Sequence, residues 1–168
     1  MIIKTNISDH KKHKQNLLNL IDSIPNLSSD ITKVEQVSKS DWYLNSFYPR
    51  KYWDYFFNIL TPWFDFMENK YGHKISKMQI GNYWFQQYLN NNYHEWHTHA
   101  NCHFSSVYYL ELPKTNMVTE FKDYKPISVK EGDIITFPAY LVHRSPINSS
   151  GKRKTVIVFN SNMVTKKV

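Results

Sequence analysis

Five of the eight histidines in this chain fall between residues 94 and 143, and two of them stand two positions apart. Residues two apart in a β-strand point to the same face, so His97 and His99 can direct both imidazoles at one metal ion. A pair this close also arises by chance, and isolated histidines are usually structural. The spacing makes His97 and His99 candidate metal ligands, and places His94 and His103 at the mouth of the site or on the surface.

A later segment adds another histidine and a cation. A turn at 131–133 opens a short apolar strand that Pro138 ends, and His143 follows five residues later. Arg153 and Thr155 begin another strand and share a face by the same alternation. A guanidinium beside a hydroxyl is well suited to hold a carboxylate through charge-assisted hydrogen bonds. Arg153 alone would instead be a solvated arginine after a loop.

The elements that must position these residues fall into two groups. Up to about residue 75 the pattern is helical. Ser8 is a candidate cap for a helix with Leu17 and Ile21 on one face, and an aromatic stripe from Trp53 to Met67 is interrupted at Pro62. Such a stripe is typical of a face packed against a sheet.

From about residue 76 the pattern changes to short strands separated by turns. Helices gathered before many short strands indicate an α+β protein whose core is a small antiparallel barrel or sandwich. The predicted strands are Met78–Ile80, Trp84–Tyr88, Phe104–Leu112, Ile134–Phe137 and Thr155–Phe159.

Length and composition bound the remaining possibilities. With 168 residues, 41% of them hydrophobic, the chain has the size of one domain with a packed core. No apolar run approaches the roughly 18 residues of a membrane helix, and the N-terminus has no secretory pattern. The single cysteine, Cys102, excludes an internal disulfide and favours a reducing, cytoplasmic setting.

In their order along the chain, these motifs resemble the iron(II)/2-oxoglutarate-dependent oxygenases, within the prolyl-hydroxylase-like superfamily. The likeness is greatest to a phage and bacterial branch of small members. It implies one oxygenase domain over 1–168, with support helices in 1–75 and a double-stranded β-helix core, jelly-roll or cupin-like, in 76–162. The resemblance covers about 77–162 and is carried by His97-Thr98-His99, Ser105–Leu110, Gly132–Pro138, His143, Asn148, Arg153–Thr155 and Phe159–Asn160.

In this family one iron is held by a histidine, a carboxylate two residues later and a distal histidine. The resemblance implies that His97 and His143 bind Fe(II), and it puts His99 where the family has Asp or Glu. A three-histidine site, a carboxylate supplied by Glu95, and a site with only two protein ligands all remain open. Glu95 ranks below His99 because it precedes His97. A neutral third ligand leaves more positive charge on the metal, which favours carboxylate binding.

The resemblance also implies the cosubstrates 2-oxoglutarate and O2, and hydroxylation of an unactivated C–H bond with decarboxylation of 2-oxoglutarate to succinate. It assigns the far carboxylate of 2-oxoglutarate to Arg153 with Thr155. Tyr88, nine residues before His97, is either a further contact to that carboxylate or an aromatic of the barrel core. The expected substrate is a protein or peptide side chain, with proline as a candidate, ahead of a small molecule.

Two other functions compete with this one. A metal-binding cupin enzyme that does not use 2-oxoglutarate would take His103 as a fourth ligand, but it gives Arg153 and Thr155 no role. A non-enzymatic basic module that binds nucleic acid is supported only by the net charge of +7. The Lys-, Asn- and Ile-rich composition is typical of an AT-rich genome such as that of a phage, and for a phage protein the expected cytoplasm is that of the host.

Overall fold

The computed structural model describes residues 1–25, 35–73, 75–114 and 117–166. Within these ranges the chain forms three α-helices and ten β-strands. The helices are α1 (His10–Asp22), α2 (Lys51–Asn58) and α3 (Thr61–Tyr71). The strands are β1 (Ile3–Asn6), β2 (Glu35–Gln36), β3 (Lys39–Ser40), β4 (Ile75–Tyr88), β5 (Tyr93–His97), β6 (Phe104–Glu111), β7 (Glu120–Phe121), β8 (Asp133–Pro138), β9 (His143–Ser145) and β10 (Lys154–Thr165). No helix in the described ranges is both long enough and apolar enough to span a bilayer.

The strands form two antiparallel sheets. In the described residues the larger sheet has six strands in the order β1-β8-β6-β10-β4-β3, and the smaller has four in the order β2-β5-β9-β7. From β5 to β10 the chain alternates between the sheets, one strand at a time. This alternation is the winding of a double-stranded β-helix, and it confirms the predicted α+β fold class.

The strand β10 lies at the centre of the larger sheet, between β4 and β6, and both of its faces are buried. Its register places Val158 opposite Trp84 on β4 and opposite Val107 on β6. These three side chains belong to the core between the two sheets. The neighbouring Ile157 and Phe159 face the other way, into the core between the larger sheet and the helices. One strand therefore serves two cores.

The helices α2 and α3 cover the outer face of the larger sheet. Pro62 lies in the first turn of α3, so it restarts the helix after a break at 59–60, as the sequence predicts. Trp53, Phe56 and Met67 are buried in this core, which confirms the aromatic stripe as a packing face. Trp63 also donates a hydrogen bond from Nε1 to Thr136 on β8 (2.8 Å) and ties α3 to the sheet.

A buried carboxylate fixes the segment between β3 and α2. Asp41 is fully buried and accepts hydrogen bonds from Arg50 Nε (2.7 Å), Tyr52 OH (2.7 Å) and the backbone N–H of Phe85 (2.8 Å). These contacts attach residues 41–50 to β4. The segment carries Trp42, whose ring meets that of Trp84 edge-on with centroids 4.5 Å apart.

The N-terminal region is less purely helical than predicted. β1 pairs with β8 along the edge of the larger sheet, and β2 and β3 each add two residues to a sheet. The helix α1 begins at His10, after Asp9, with no side-chain cap bond, so Ser8 is not its cap. Leu17 and Ile21 are buried as predicted.

Candidate metal centre and adjoining cavity

Three imidazoles converge at one end of the space between the sheets. His97 ends β5 and is the register partner of His143, the first residue of β9. His99 lies two residues beyond β5, where its backbone N–H bonds the carbonyl of Ala139 (2.9 Å). One ligand nitrogen from each of the three lies within 4.8 Å of the others. The structure therefore brings together the three histidines expected to bind metal.

Backbone carbonyls orient two of these rings. Nδ1 of His97 lies 2.7 Å from the carbonyl oxygen of Glu95, and Nδ1 of His143 lies 2.8 Å from that of Leu141. A carbonyl only accepts, so each Nδ1 carries the proton and each Nε2 presents a lone pair. His99 Nε2 lies 3.2 Å from His143 Nε2. A hydrogen bond from Nδ1 to a backbone carbonyl fixes which ring nitrogen of a metal-binding histidine is free to bind the ion.

Burial keeps the site in its ligating form. Burial, followed by the neighbouring His97, lowers the pKa of His143 to about 3. Burial, followed by His97, lowers the pKa of His99 to about 4. Both imidazoles are therefore neutral near pH 7, as a metal ligand must be. Three neutral nitrogen donors fit a divalent transition metal.

No carboxylate joins the three histidines among the described residues. The side chain of Glu95 is exposed, and its contribution to the site is the backbone carbonyl that orients His97. The grouping therefore favours a three-histidine site over a carboxylate from Glu95.

The two remaining histidines of the cluster are not among the three grouped nitrogen donors. His94 stacks on His97 with ring centroids 3.9 Å apart, because a register irregularity between positions 94 and 97 of β5 brings the two rings to one side. His103 is exposed and accepts a hydrogen bond at Nδ1 from the backbone N–H of Met163 (3.3 Å). It is not part of the ligand group, so the fourth ligand of the cupin alternative is missing from it.

A cavity extends from the histidines into the space between the sheets. Its walls combine apolar side chains with a few polar ones. Besides the three histidines and His94 it is lined by Trp84, Gln86, Tyr88, Val107, Thr119, Arg144, Ser145, Lys154, Val156 and Val158.

Lys154 is the buried cation of this cavity. The side chain is 2% exposed, donates from Nζ to Ser145 Oγ (2.8 Å) and lies 4.9 Å from the centre of the Tyr88 ring. Burial lowers the pKa of its ammonium to about 7, against the opposing charge of Glu120. The cavity lining contains no aspartate or glutamate among the described residues, so an anion entering it would meet an incompletely paired cation.

The structure does not bring Arg153 and Thr155 to the cavity. Arg153 lies on the opposite side of the larger sheet, where Nε bonds Glu111 (2.8 Å) and Nη1 bonds Asp22 (2.9 Å). Thr155 Oγ1 also donates to Glu111 (2.5 Å). The geometry therefore gives no support to the expected contact between the Arg153–Thr155 pair and the 2-oxoglutarate carboxylate. Alternation turns both residues outward and Lys154 inward.

Tyr88 lies in the cavity wall and also belongs to the core between the sheets. Its hydroxyl donates to Gln86 Oε1 (2.7 Å), and its ring packs beneath the Lys154 ammonium. Arg144 also lines the cavity, but its guanidinium bonds Glu120 (2.7 Å) and lies 4.6 Å from the centre of the Trp96 ring. It is thus paired within the protein.

The comparisons with known proteins support the fold strongly and the sequence relationship weakly. No protein-family model matches the chain, and no curated protein matches it in sequence. Among solved structures it is similar to a viral collagen prolyl hydroxylase from Paramecium bursaria Chlorella virus 1 in complex with 2-oxoglutarate, with a TM-score of 0.67, 16% identity and coverage of 97% of this chain and 96% of that one.

Two further prolyl hydroxylase structures agree. A Pseudomonas putida prolyl-4-hydroxylase matches with a TM-score of 0.64 and 8% identity, covering 96% of this chain and 92% of that one. The Trichoplax adhaerens prolyl hydroxylase in complex with a hypoxia-inducible-factor peptide fragment matches with a TM-score of 0.60 and 12% identity, covering 95% and 82%. The chain therefore has the fold of the 2-oxoglutarate-dependent oxygenases along nearly its whole length.

Proposed function

We propose that this chain is an iron(II)- and 2-oxoglutarate-dependent dioxygenase that hydroxylates an unactivated C–H bond of a protein or peptide side chain, with proline among the candidates. One observation carries the proposal. The three-imidazole group and a buried, underpaired lysine line the same cavity of a fold shared with 2-oxoglutarate oxygenases. That cavity offers ligands for a metal ion at one end and a cation for a carboxylate at the other.

In this proposal His97, His99 and His143 hold the iron through one nitrogen each. Bound iron, with 2-oxoglutarate and O2, supplies an oxidant strong enough to attack an unactivated carbon. The carbonyls of Glu95 and Leu141 keep two of the rings aimed, since each accepts the Nδ1 proton. Three neutral ligands leave the full charge of the metal to attract the anionic keto acid.

Lys154, rather than Arg153, holds the far carboxylate of 2-oxoglutarate. Its ammonium is buried beside one hydroxyl and one ring, so a carboxylate would supply the strong partner that it lacks. Ser145 and Tyr88 position the ammonium from either side. Apolar walls from Val156 and Val158 exclude water, which strengthens this ion pair.

A peptide substrate is supported by the Trichoplax neighbour, whose structure contains a peptide fragment. The two alternative functions, a basic nucleic-acid-binding module and a cupin enzyme without 2-oxoglutarate, are less well supported. A nucleic-acid module gains nothing from the three-histidine group or from Lys154, and a cupin enzyme without 2-oxoglutarate gives Lys154 no ligand.

The test compares two neighbouring cations of β10. With Fe(II) and no oxygen, calorimetric titration should show Lys154→Met weakening 2-oxoglutarate binding by roughly 100-fold, as for the loss of a buried charged partner. Arg153→Ala should leave binding within about twofold, because its ion pairs are partly exposed and lie outside the cavity.

His143→Ala should abolish tight metal binding in the same titration and succinate formation in a turnover assay. Equal effects of the Lys154 and Arg153 variants would contradict the carboxylate assignment. Turnover that survives His143→Ala would contradict the metal centre itself.

A further inference from the structure

A second, shallower groove adjoins the three-histidine group on the side away from Lys154. It has a volume of about 460 Å³ and shares Trp84, Gln86, His94, His97 and His99 with the inner cavity. We call it the amide groove, because its other walls include Asn82, Asn101 and Asn160, with Trp42 at its rim. None of the residues that line only this groove has a role in the proposed handling of metal and keto acid.

The amide groove continues two rows of inward-facing side chains. On β10 the row runs Lys154, Val156, Val158 and Asn160, and on β4 it runs from Tyr88 through Trp84 to Asn82. Each row therefore begins beside the buried cation, becomes apolar or aromatic, and ends in a carboxamide. The rings of Trp84 and His99, 5.8 Å apart, mark the level of the metal centre between the two ends.

Asn160 is the unexplained residue of this groove. It is 6% exposed, and its Oδ1 is buried without a hydrogen-bond partner among the described residues. It lies opposite a bulge of β4: where β10 has Asn160 alone between its paired neighbours, β4 has Gly81 and Asn82. Such bulges redirect side chains next to functional sites. A terminal amide turns about a soft torsion, so it can present its oxygen to a ligand.

The charge of the groove separates two classes of substrate. On a chain of net charge +7, the described lining of the groove contains no lysine, arginine, aspartate or glutamate. A nucleic-acid strand needs cations along its path. An uncharged peptide needs hydrogen-bonding amides and an apolar aromatic contact, which the asparagines and the Trp42–Trp84 pair supply.

Building on the proposed function, we propose that Asn160 selects the substrate by accepting a hydrogen bond at Oδ1 from an N–H of an uncharged peptide segment laid against the Trp42–Trp84 pair. The side chain to be oxidised then projects past Trp84 toward the histidines. Asn160 is a specificity residue in this arrangement and touches neither metal nor keto acid.

The test pairs two buried asparagines with opposite hydrogen bonding. Asn148 donates from Nδ2 to the carbonyls of Tyr88 (2.8 Å) and Lys152 (2.7 Å), so Asn148→Leu should lower the thermal unfolding midpoint by roughly 5 °C or more. Asn160→Leu replaces a side chain whose oxygen is unpaired by an apolar one of similar shape. It should change the midpoint by less than about 2 °C.

Binding is measured with protein loaded with Fe(II) and 2-oxoglutarate under nitrogen. The probes are arrays of short capped peptides, one array uncharged and two carrying lysine or glutamate, together with a short oligothymidylate. Wild type should retain uncharged peptides, and Asn160→Leu should weaken the best of them about tenfold, the effect of one lost hydrogen bond. Trp42→Ala, a change at a half-exposed side chain, should weaken the same peptides.

Several results would overturn the inference. In the binding measurement they are a preference of wild type for charged peptides or oligothymidylate, no retained peptide, or unchanged peptide binding in Asn160→Leu. In the thermal measurement it is a fall of the Asn160→Leu midpoint as large as that of Asn148→Leu. If Asn160→Leu fails to fold, unaltered binding in Trp42→Ala also overturns it. A separate titration of wild type with 2-oxoglutarate reports on the proposed function. If wild type did not bind the keto acid, that function alone would be contradicted.

Discussion

Two buried charges in this molecule have opposite surroundings. Asp41, fully buried, accepts hydrogen bonds from a guanidinium, a phenol and a backbone N–H. Lys154, 2% exposed, has one hydroxyl partner in Ser145 and the face of the Tyr88 ring. A charge with full pairing holds the fold together, whereas one with incomplete pairing in a cavity is prepared for a ligand.

The Asp41 side of this comparison predicts the largest effect. Asp41→Asn removes the charge that pairs with Arg50, whose side chain is only 10% exposed. Leaving a buried charge without its partner should lower the free energy of unfolding by about 3–5 kcal/mol. Urea denaturation followed by circular dichroism measures this. A loss below about 1 kcal/mol would mean that Asp41 is no more structural than Lys154.

From the surroundings of Lys154 we expect the affinity for 2-oxoglutarate, as well as the stability of the fold, to depend on pH. Its pKa is lowered to about 7 by burial, and a bound carboxylate stabilises the charged form and raises that pKa. Above pH 7 the free protein must take up a proton to bind, so 2-oxoglutarate affinity should fall about tenfold per pH unit. Calorimetry from pH 7 to 9 checks this slope. Lys154→Arg, with a permanent charge, should give a flat profile over that range.

The sequence predicts that the three histidines come together, which the geometry bears out, but it does not predict which face of β10 lines the cavity. The imidazoles were predictable because His97 and His99 are adjacent in a strand pattern. On β10 the faces carry Val156 and Val158 on one side and Ile157 and Phe159 on the other, and both are buried. Alternation alone cannot say which face is interior. That choice is set by pairing with β4 and β6, which are distant in sequence.

The other missed features are likewise long-range. Lys154 resembles a surface lysine in sequence, and only its position in the inward row identifies it. Asp41 has no local signal either, because its contact to the N–H of Phe85 spans 44 residues. The edge strand β1 is short and pairs with β8 more than 120 residues away. Local periodicity could therefore predict the fold class and the shared face of His97 and His99, but not these pairings.

The stability of the Lys154→Met variant tests whether Lys154 serves a ligand rather than the fold. Replacing an underpaired buried ammonium by an apolar chain of similar length should raise the free energy of unfolding by about 1–2 kcal/mol near pH 7, while keto-acid binding is lost. The gain should shrink toward pH 10. The depressed pKa means that the unfolded chain binds more protons between about pH 7 and 10, so wild-type stability rises through that window. Urea titrations at the two pH values, with wild type as the reference, measure both differences. A variant less stable than wild type at pH 7 would place Lys154 with Asp41 among the structural charges.

Arg153 predicts the smallest effect, and it separates a charge on the outer face from the two buried ones. Its side chain is 31% exposed, and its partners Glu111 and Asp22 are 20% and 44% exposed. Solvent screens such pairs, so Arg153→Ala should lower the free energy of unfolding by less than about 1 kcal/mol, and 150 mM or more of added salt should reduce the difference further. Asp22→Asn, which removes one of the two ion pairs while keeping a polar side chain, is the matched control and should have a smaller effect still. If Arg153→Ala instead destabilised the protein as much as Asp41→Asn, exposure would not be what distinguishes these charges, and the outer cluster around Glu111 would itself be a structural centre of β10.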